Sequence, residues 1–254
     1  MGFYDLPKEA RNALVEKITD TIKADLSANQ TENIVAYFSD DDTYIRKTGY
    51  AAIGKIFYAA PELQPTILST LNHLLKSDMD KVRQTTVNAA GEIGRFHFDK
   101  VQHVFDTGLS DKHHSVRNAV IGSVKKMGAK NPVPVLAWAK TYLKHPDKEV
   151  RREICHGIEL RGRTHPQDIL PLLKALEFDD TKRVTDTLIH VLGQIAYKNG
   201  CLKTVVAHLN TWKNKTLVEK ALDEIVDVHE RYKKFAVLTQ QEVIDYIDGN
   251  YNPI

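Results

Sequence analysis

Five similar segments, spaced by about 34 residues, constrain the fold of this 254-residue chain more than any other feature of its sequence. Each segment starts near a β-branched anchor residue, and the intervals between successive anchors are 37, 34, 34 and 34 residues. The segments cover residues 41–56, 78–93, 112–127, 147–160 and 180–195, and their anchors are Ile45, Val82, Val116, Val150 and Val184. A fixed period of this length is typical of a repeat array, in which each repeat is one small supersecondary unit.

The apolar residues of each segment follow a helical spacing. They occur 4, 7, 8 and 11 positions after the anchor, as in Leu188, Val191, Leu192 and Ile195 after Val184. Residues at these positions share one face of an α-helix. A second apolar stretch with helical spacing precedes each segment, and short turns with Asp and Ser, which are favourable helix N-caps, separate the two. The pattern therefore predicts helical hairpins that bury their apolar faces by stacking on neighbouring hairpins.

The repeat predicts an all-α fold, namely a right-handed α-α superhelix of about five to six hairpins. Because no linker or low-complexity stretch interrupts the array, we expect a single domain over residues 1–254. Within it we expect an N-terminal helical cap over 5–30, stacked repeats over 31–212, and the last hairpin with a C-terminal cap over 213–254.

Composition excludes several classes of protein. Two Cys residues in a chain of this length exclude a disulfide framework. The sequence has no stretch of 18 apolar residues, so we expect no membrane-spanning helix and no membrane partner. The N-terminal residues carry acidic side chains and no apolar segment of the kind found in secretory signals. We therefore expect a cytoplasmic protein.

The segments resemble HEAT repeats over roughly residues 31–200. HEAT repeats have an Asp in the turn inside the hairpin and a Val-Arg pair at the start of the second helix. The resemblance implies stacked hairpins and says little about function, because HEAT arrays serve as scaffolds, as transport factors and, in a few cases, as enzymes. We expect the arginines to form a structural ladder by bonding turn carboxylates or carbonyls. The ladder residues are Arg46, Arg83, Arg117, Arg151, Asp40 and Asp111.

A polar stripe lies about 180° from the apolar face of the second helices. Second helices generally line the concave surface of HEAT-like arrays, so we expect the stripe to face that surface. Its hydrogen-bonding side chains are separated by Gly54, Gly91 and Gly193, which suits a polar ligand or a closely approaching backbone. A solvated face without a ligand is the alternative. The candidate binding residues are Lys47, Gln84, Asn88, Arg95, Asn118, Lys125, Arg152, His156, Arg163 and His190.

Charge is concentrated in the middle of the chain. The whole chain has a net charge of +2, whereas residues 112–165 contain 12 basic and 4 acidic side chains, a net charge of +8. A positive concave groove attracts phosphate or carboxylate groups, so the predicted partner is an acidic protein segment or the phosphate backbone of a nucleic acid. A basic surface that serves only solubility is the alternative interpretation.

The sequence contains no complete catalytic or metal-binding motif. HExxH, paired Cys, Walker A and G-x-S-x-G patterns are all absent from it. HEAT-repeat hydroxylases that hold two irons use repeated His-Glu dyads, whereas this chain has one such dyad, His229-Glu230. We therefore expect no catalytic residue, no metal ion and no cofactor.

Residues 41–61 and 145–166 also resemble parts of the HEAT-like-repeat DNA glycosylases that remove alkylated bases. That resemblance implies a position beside DNA for Arg46. The family's active site has a Trp followed four residues later by an Asp, and neither Trp138 nor Trp212 is followed by an Asp at that distance.

These observations favour a non-catalytic binding or scaffold module with a basic concave groove. The alternative is an alkylated-base DNA glycosylase or a lesion-binding protein of the same superfamily. DNA binding is better supported than base excision.

Overall fold

The computed structural model describes residues 2–252, and every regular element among them is helical. The prediction of an all-α fold of helical hairpins is therefore confirmed. The chain divides into two compact units, one ending at Asn131 and one beginning at Pro132, which are described separately. The single domain expected over 1–254 stays a prediction. None of the helices in 2–252 has both the length and the apolar character that crossing a membrane requires.

The first unit consists of an N-terminal helix and three hairpins. The hairpins pair α2 with α3, α4 with α5, and α6 with α7. Helix α1 packs against α3, and α5 packs between α3 and α7, so these helices form one layer. The bounds are α1 Lys8–Ala28, α2 Glu32–Ser39, α3 Thr43–Ala59, α4 Gln64–Leu74, α5 Asp80–Gly94, α6 Phe98–Leu109 and α7 His114–Lys130.

The second unit also contains three hairpins, followed by a C-terminal helix. The second helix of its first hairpin is interrupted at Ile158, so α9 and α10 together replace one continuous helix. Helix α12 packs against α9, α10 and α14, and α15 packs against α13 and α14. The bounds are α8 Pro132–Tyr142, α9 Lys148–Gly157, α10 Glu159–Gly162, α11 Pro166–Leu173, α12 Lys182–Ala196, α13 Cys201–Leu209, α14 Lys215–Arg231 and α15 Gln240–Asn250.

Four of the five anchor residues of the repeats lie in the core, as the apolar spacing predicts. Val82, Val116 and Val184 are completely buried, and Val150 is 3% exposed. Ile45, the anchor of the first repeat, is only partly buried. Burial of this apolar stripe in hairpin after hairpin removes it from water and provides the main driving force for stacking.

Glycines nine positions after the anchor allow neighbouring second helices to approach closely. A Cβ atom at Gly54 would lie 2.6 Å from Cβ of Glu92, and one at Gly193 would lie 2.6 Å from Cγ of Glu224. Gly91 is crowded in the same way by Ser123. Of the two alternatives for these glycines, a polar ligand or a closely approaching backbone, the structure shows the second, because the adjacent helix fills the space.

An arginine near the start of the second helix ties its own turn to the next turn in the chain. In α5, Nη1 of Arg83 donates to the carbonyls of Ser77 and Asp78 at 2.8 and 3.1 Å. Nε and Nη2 of the same side chain donate to the two carboxylate oxygens of Asp111, 28 residues later, at 2.7 and 3.0 Å. One guanidinium therefore donates hydrogen bonds to acceptors in two turns at once.

Arg151 makes the same arrangement in the second unit. It donates to the carbonyls of His145 and Pro146 and forms a two-pronged pair with Asp179, at 2.6 and 3.1 Å. Arg46 and Arg117 donate to the backbone carbonyls of the residues six positions earlier, Asp40 and Asp111. The carboxylate of a turn Asp thus bonds the arginine of the preceding hairpin in the pairs Arg83–Asp111 and Arg151–Asp179.

These pairs make part of the stability dependent on pH. Burial raises the pKa of Asp111, but the bonds from Arg83 and from the backbone N–H of His113 outweigh it, so the pKa lies below its ordinary value. The pKa of Asp179 is lowered in the same way by Arg151. A carboxylate with a lowered pKa in the folded state stabilises the fold above the pKa of the unfolded chain, about 4, and this contribution is lost as the pH falls through the folded pKa.

We predict that Arg83→Met lowers the free energy of unfolding by about 3 kcal/mol at neutral pH, because it leaves the nearly buried Asp111 carboxylate without its partner. Urea denaturation measures this change. Stability of the variant should also fall less between about pH 5 and pH 3, because the pKa of Asp111 is no longer lowered. Lys76→Met, at an exposed lysine, is the matched control and should change stability by less than about 0.5 kcal/mol. Equal stabilities for the two variants would contradict the role given to the ladder.

A charge in the apolar stripe should be more damaging. Val116→Asp places a carboxylate at a completely buried position in α7, so we expect a loss of about 4 kcal/mol or partial unfolding. Asn118→Asp introduces the same charge two residues later at an exposed position and should leave the thermal transition nearly unchanged. A similar transition for both variants would show that the stripe is not the stacking core.

Candidate functional site

The candidate binding residues of the first unit lie along its layer of second helices. Lys47, Gln84 and Asn88 line one cleft of about 140 Å³ between α3 and α5, together with Arg46 and Tyr50. The remaining candidates are Arg95, directly after α5, and Asn118 and Lys125 on α7. The fold therefore brings three of the candidates into a common cleft.

The polar groups of this cleft have unused hydrogen-bonding capacity. The Lys47 ammonium and the Gln84 carboxamide make no side-chain hydrogen bond or ion pair with any other residue in 2–252. The Asn88 amide donates within its own helix to the carbonyl of Gln84, at 3.1 Å. Lys47 is exposed and the two amides are half-buried. Besides the Arg46 guanidinium, which bonds its own turn, the cleft thus presents the Lys47 ammonium and two amides to solvent.

Helix α7 contributes a further cation to this face. Nζ of Lys126 lies 3.2 Å from a carboxylate oxygen of Glu92 on α5 and 5.3 Å from the ring centroid of Tyr50 on α3. The other carboxylate oxygen of Glu92 lies 3.0 Å from Nη1 of Arg95. Glu92 therefore compensates two cations, whereas no carboxylate of residues 2–252 pairs with Lys47.

The candidate arginines of the second unit are engaged with carboxylates. Nε of Arg152 lies 2.9 Å from Glu149, and its Nη2 lies 3.5 Å from Glu153. Nη2 of Arg163 donates to Glu159. Glu153 and Glu159 are 2% and 1% exposed, so these arginines compensate buried charges. The sequence pattern predicts an open basic groove, whereas both arginines are paired with carboxylates. A helical periodicity does not show which charges pair with each other.

His156 and His190 meet in the second unit beside Glu159. One potential ligand atom from each of these three residues lies within 4.8 Å of the others, and the two imidazole centroids are 5.9 Å apart. The expectation of no metal ion stays a prediction. The repeat already places the two histidines at the same position: they stand 34 residues apart, each six positions after its anchor, on neighbouring second helices.

The uncompensated lysines of the basic segment 112–165 lie at turns and on or near helix ends. Five exposed lysines have no ion pair or side-chain hydrogen bond in the described part of the chain. They are Lys112, Lys130, Lys140, Lys144 and Lys148. Arg161, by contrast, pairs with Asp168 at 2.7 Å. Much of the positive charge open to an anionic partner is therefore outside the predicted stripe.

The two tryptophans lie in the core. Trp138 is 5% exposed and Trp212 is 1% exposed, and Nε1 of Trp212 donates to Nδ1 of His208 at 2.8 Å. Neither ring forms a surface that could hold an extruded base. The Arg46 guanidinium bonds its own turn, through the carbonyls of Asp40 and Asp41.

The two cysteines are not activated as nucleophiles. Burial raises the pKa of the Cys155 thiol far above its ordinary value, and burial also raises that of Cys201. A reactive cysteine needs the opposite shift, because the thiolate is the nucleophile.

No family model matches the sequence, and no curated protein matches it. The structure is similar to several solved structures at low sequence identity. AlkD2 from Streptococcus mutans aligns with 16% identity and a TM-score of 0.47, covering 89% of this chain and 99% of that chain. A chain from a structure describing Kap95p binding to RanGDP aligns with 14% identity and a TM-score of 0.49, covering 96% of this chain and 36% of that chain. A computationally designed armadillo repeat protein for modular peptide recognition aligns with 16% identity and a TM-score of 0.35, covering 77% of this chain and 98% of that chain.

Proposed function

We propose that this chain is a non-catalytic helical-repeat binding module whose second-helix face in the first unit binds an anionic partner. The observation that carries the proposal is the cleft between α3 and α5, where Lys47, Gln84 and Asn88 converge and Lys47 has no carboxylate partner among the described residues. The partner is an acidic protein segment or the phosphate backbone of a nucleic acid.

The chemistry of the cleft suits oxygen anions. Carboxylate and phosphate oxygens accept hydrogen bonds, and the ammonium and amide N–H groups of the cleft donate them. A hydrogen bond to a charged group contributes roughly 1.5–3 kcal/mol, more than a neutral one. The half-buried ring of Tyr50 adds a flat surface beside Lys126. Proteins that bind single-stranded nucleic acids use this combination, because bases stack on the aromatic ring and phosphates pair with the cation.

The exposed lysines outside the cleft act at longer range. Lys112 and Lys130 in the first unit, and Lys140, Lys144 and Lys148 in the second, carry charge that no carboxylate of residues 2–252 compensates. Such charges accelerate the encounter with an anionic partner more than they hold it in place, and salt screens them. We therefore expect binding to weaken strongly as the salt concentration rises.

Fluorescence anisotropy tests the proposal with two labelled probes, a DNA duplex and a peptide rich in Asp and Glu. For DNA, the logarithm of the association constant should fall linearly with the logarithm of the salt concentration, with a slope of about −0.9 per phosphate contacted. Lys47→Glu should weaken binding of the preferred probe about tenfold or more, a loss of about 1.4 kcal/mol. The matched control Lys76→Glu reverses the charge of another exposed lysine of the first unit and should change the affinity less than about threefold.

Either of two results would contradict the proposal. One is the absence of binding to both probes at about 50 mM salt, where phosphate contacts are strong. The other is an equal effect of the two lysine variants, which would indicate attraction by overall charge without a site. The glycosylase alternative is tested on the same duplex carrying a methylated purine, since release of the free base would demonstrate catalysis.

A further inference from the structure

The packing of α12 against α9 and α10 brings together three side chains that can bind a metal ion in the second unit. His156 lies near the end of α9, Glu159 begins α10, and His190 lies on α12. We propose that these three residues bind a divalent transition-metal ion, represented by Zn²⁺. This site shares no residue with the cleft of the first unit, so it stands independently of the function proposed above.

The three candidate ligand atoms are near enough to one another for a single ion to reach all of them after side-chain adjustment. The three candidate ligand atoms lie within 4.8 Å of one another. Zn–N and Zn–O bonds of about 2.0–2.1 Å in a tetrahedral site place ligand atoms about 3.3 Å apart. The side chains of His156 and His190 are 31% and 43% exposed, so neither imidazole is enclosed on all sides by packing. Coordination would require rotation of the two rings, for which their partial exposure leaves room.

The carboxylate of this cluster is held in a defined orientation. Nη2 of Arg163 donates to one oxygen of Glu159 and also to Oε1 of Gln194, at 2.8 Å. The other oxygen of Glu159 faces His156, 3.0 Å from its Nδ1. A carboxylate of Glu224 on α14 lies 3.8 Å from Nδ1 of His190. Groups that fix the orientation of ligands in this manner are a regular part of metal sites.

Two buried donors of this network lack an acceptor. Nε of Arg163 and Nε2 of Gln194 have no hydrogen-bond partner within residues 2–252, and Gln194 is 2% exposed. Buried donors in proteins are almost always satisfied, by the protein itself, by ordered water or by a bound ion. A water or hydroxide bound to a metal ion at this cluster would supply an acceptor oxygen.

The composition of the ligand set indicates which ions fit. Two imidazoles and one carboxylate favour Zn²⁺, Ni²⁺ or Cu²⁺ over Mg²⁺ and Ca²⁺, which prefer oxygen ligands throughout. Three protein ligands leave one position of a tetrahedral ion open. Both histidines are partly exposed, so solvent can reach the cluster. The open position would accept water or an oxygen anion.

Isothermal titration calorimetry of the full chain, freed of metal by a chelator, tests the site with ZnCl₂. We expect one equivalent of Zn²⁺ to bind, CaCl₂ to give no binding heat, and one equivalent of Zn²⁺ to raise the thermal transition of the protein. His156→Ala and His190→Ala should each weaken Zn²⁺ binding at least about tenfold and remove the thermal shift. Circular dichroism checks that these variants, altered at half-exposed positions, stay folded.

His73→Ala is the matched control, because His73 is an exposed histidine of the first unit, and it should bind Zn²⁺ like the unaltered protein. The proposal is overturned by the absence of saturable Zn²⁺ binding, which would leave His156 and Glu159 as an internal ion pair only. It is also overturned if His190→Ala binds Zn²⁺ with unchanged affinity, since the ion would then lie elsewhere. If His156→Ala fails to fold, the more exposed His190→Ala decides the outcome.

Discussion

Close packing between second helices of neighbouring hairpins is the constraint on which the other features depend. It requires an apolar stripe that packs against the neighbouring hairpins. It also requires small residues where two helix backbones nearly touch. Gly54 and Gly193 meet the second requirement, because a Cβ at either position would collide with the following second helix. Helices held at this distance bring residues of equal position in successive repeats next to each other. Both candidate sites arise from that alignment: Lys47 with Gln84 in the first unit, and His156 with His190 in the second.

Turns between the helices of a hairpin present the opposite problem, because their polar backbone must be satisfied where the chain reverses. The arginines solve it with one planar group that accepts no hydrogen bonds and donates several. Arg83 and Arg151 each bond carbonyls of their own turn and a carboxylate 28 residues further along the chain. The polar contacts of these turns therefore join neighbouring hairpins, as the apolar contacts of the helices do.

Much of the fold was predictable from sequence because the apolar residues recur at the same positions in each repeat. The apolar spacing located the second helices, and the buried valines confirm the stripe that it predicted. The break at Ile158 was not predicted, since the apolar residues continue through it. The partners of Arg152 and Arg163 were not predictable either. A count of charged residues does not show which of them pair. The folded chain shows that Glu149, Glu153 and Glu159 neutralise the arginines beside them.

The two-sided bonding of Arg83 and Arg151 has an evolutionary consequence. Arg83 bonds the Asp in the turn of the next hairpin, and Arg151 bonds Asp179 in the same way. The pair recurs in alternate hairpins, because Ser77 and His145 occupy the position of the Asp in the turns between. Duplication or loss of two hairpins keeps an Asp one turn ahead of such an arginine, whereas loss of one hairpin would leave Arg83 facing the turn at His145. Length variation among descendants of this chain should accordingly come in increments of two hairpins.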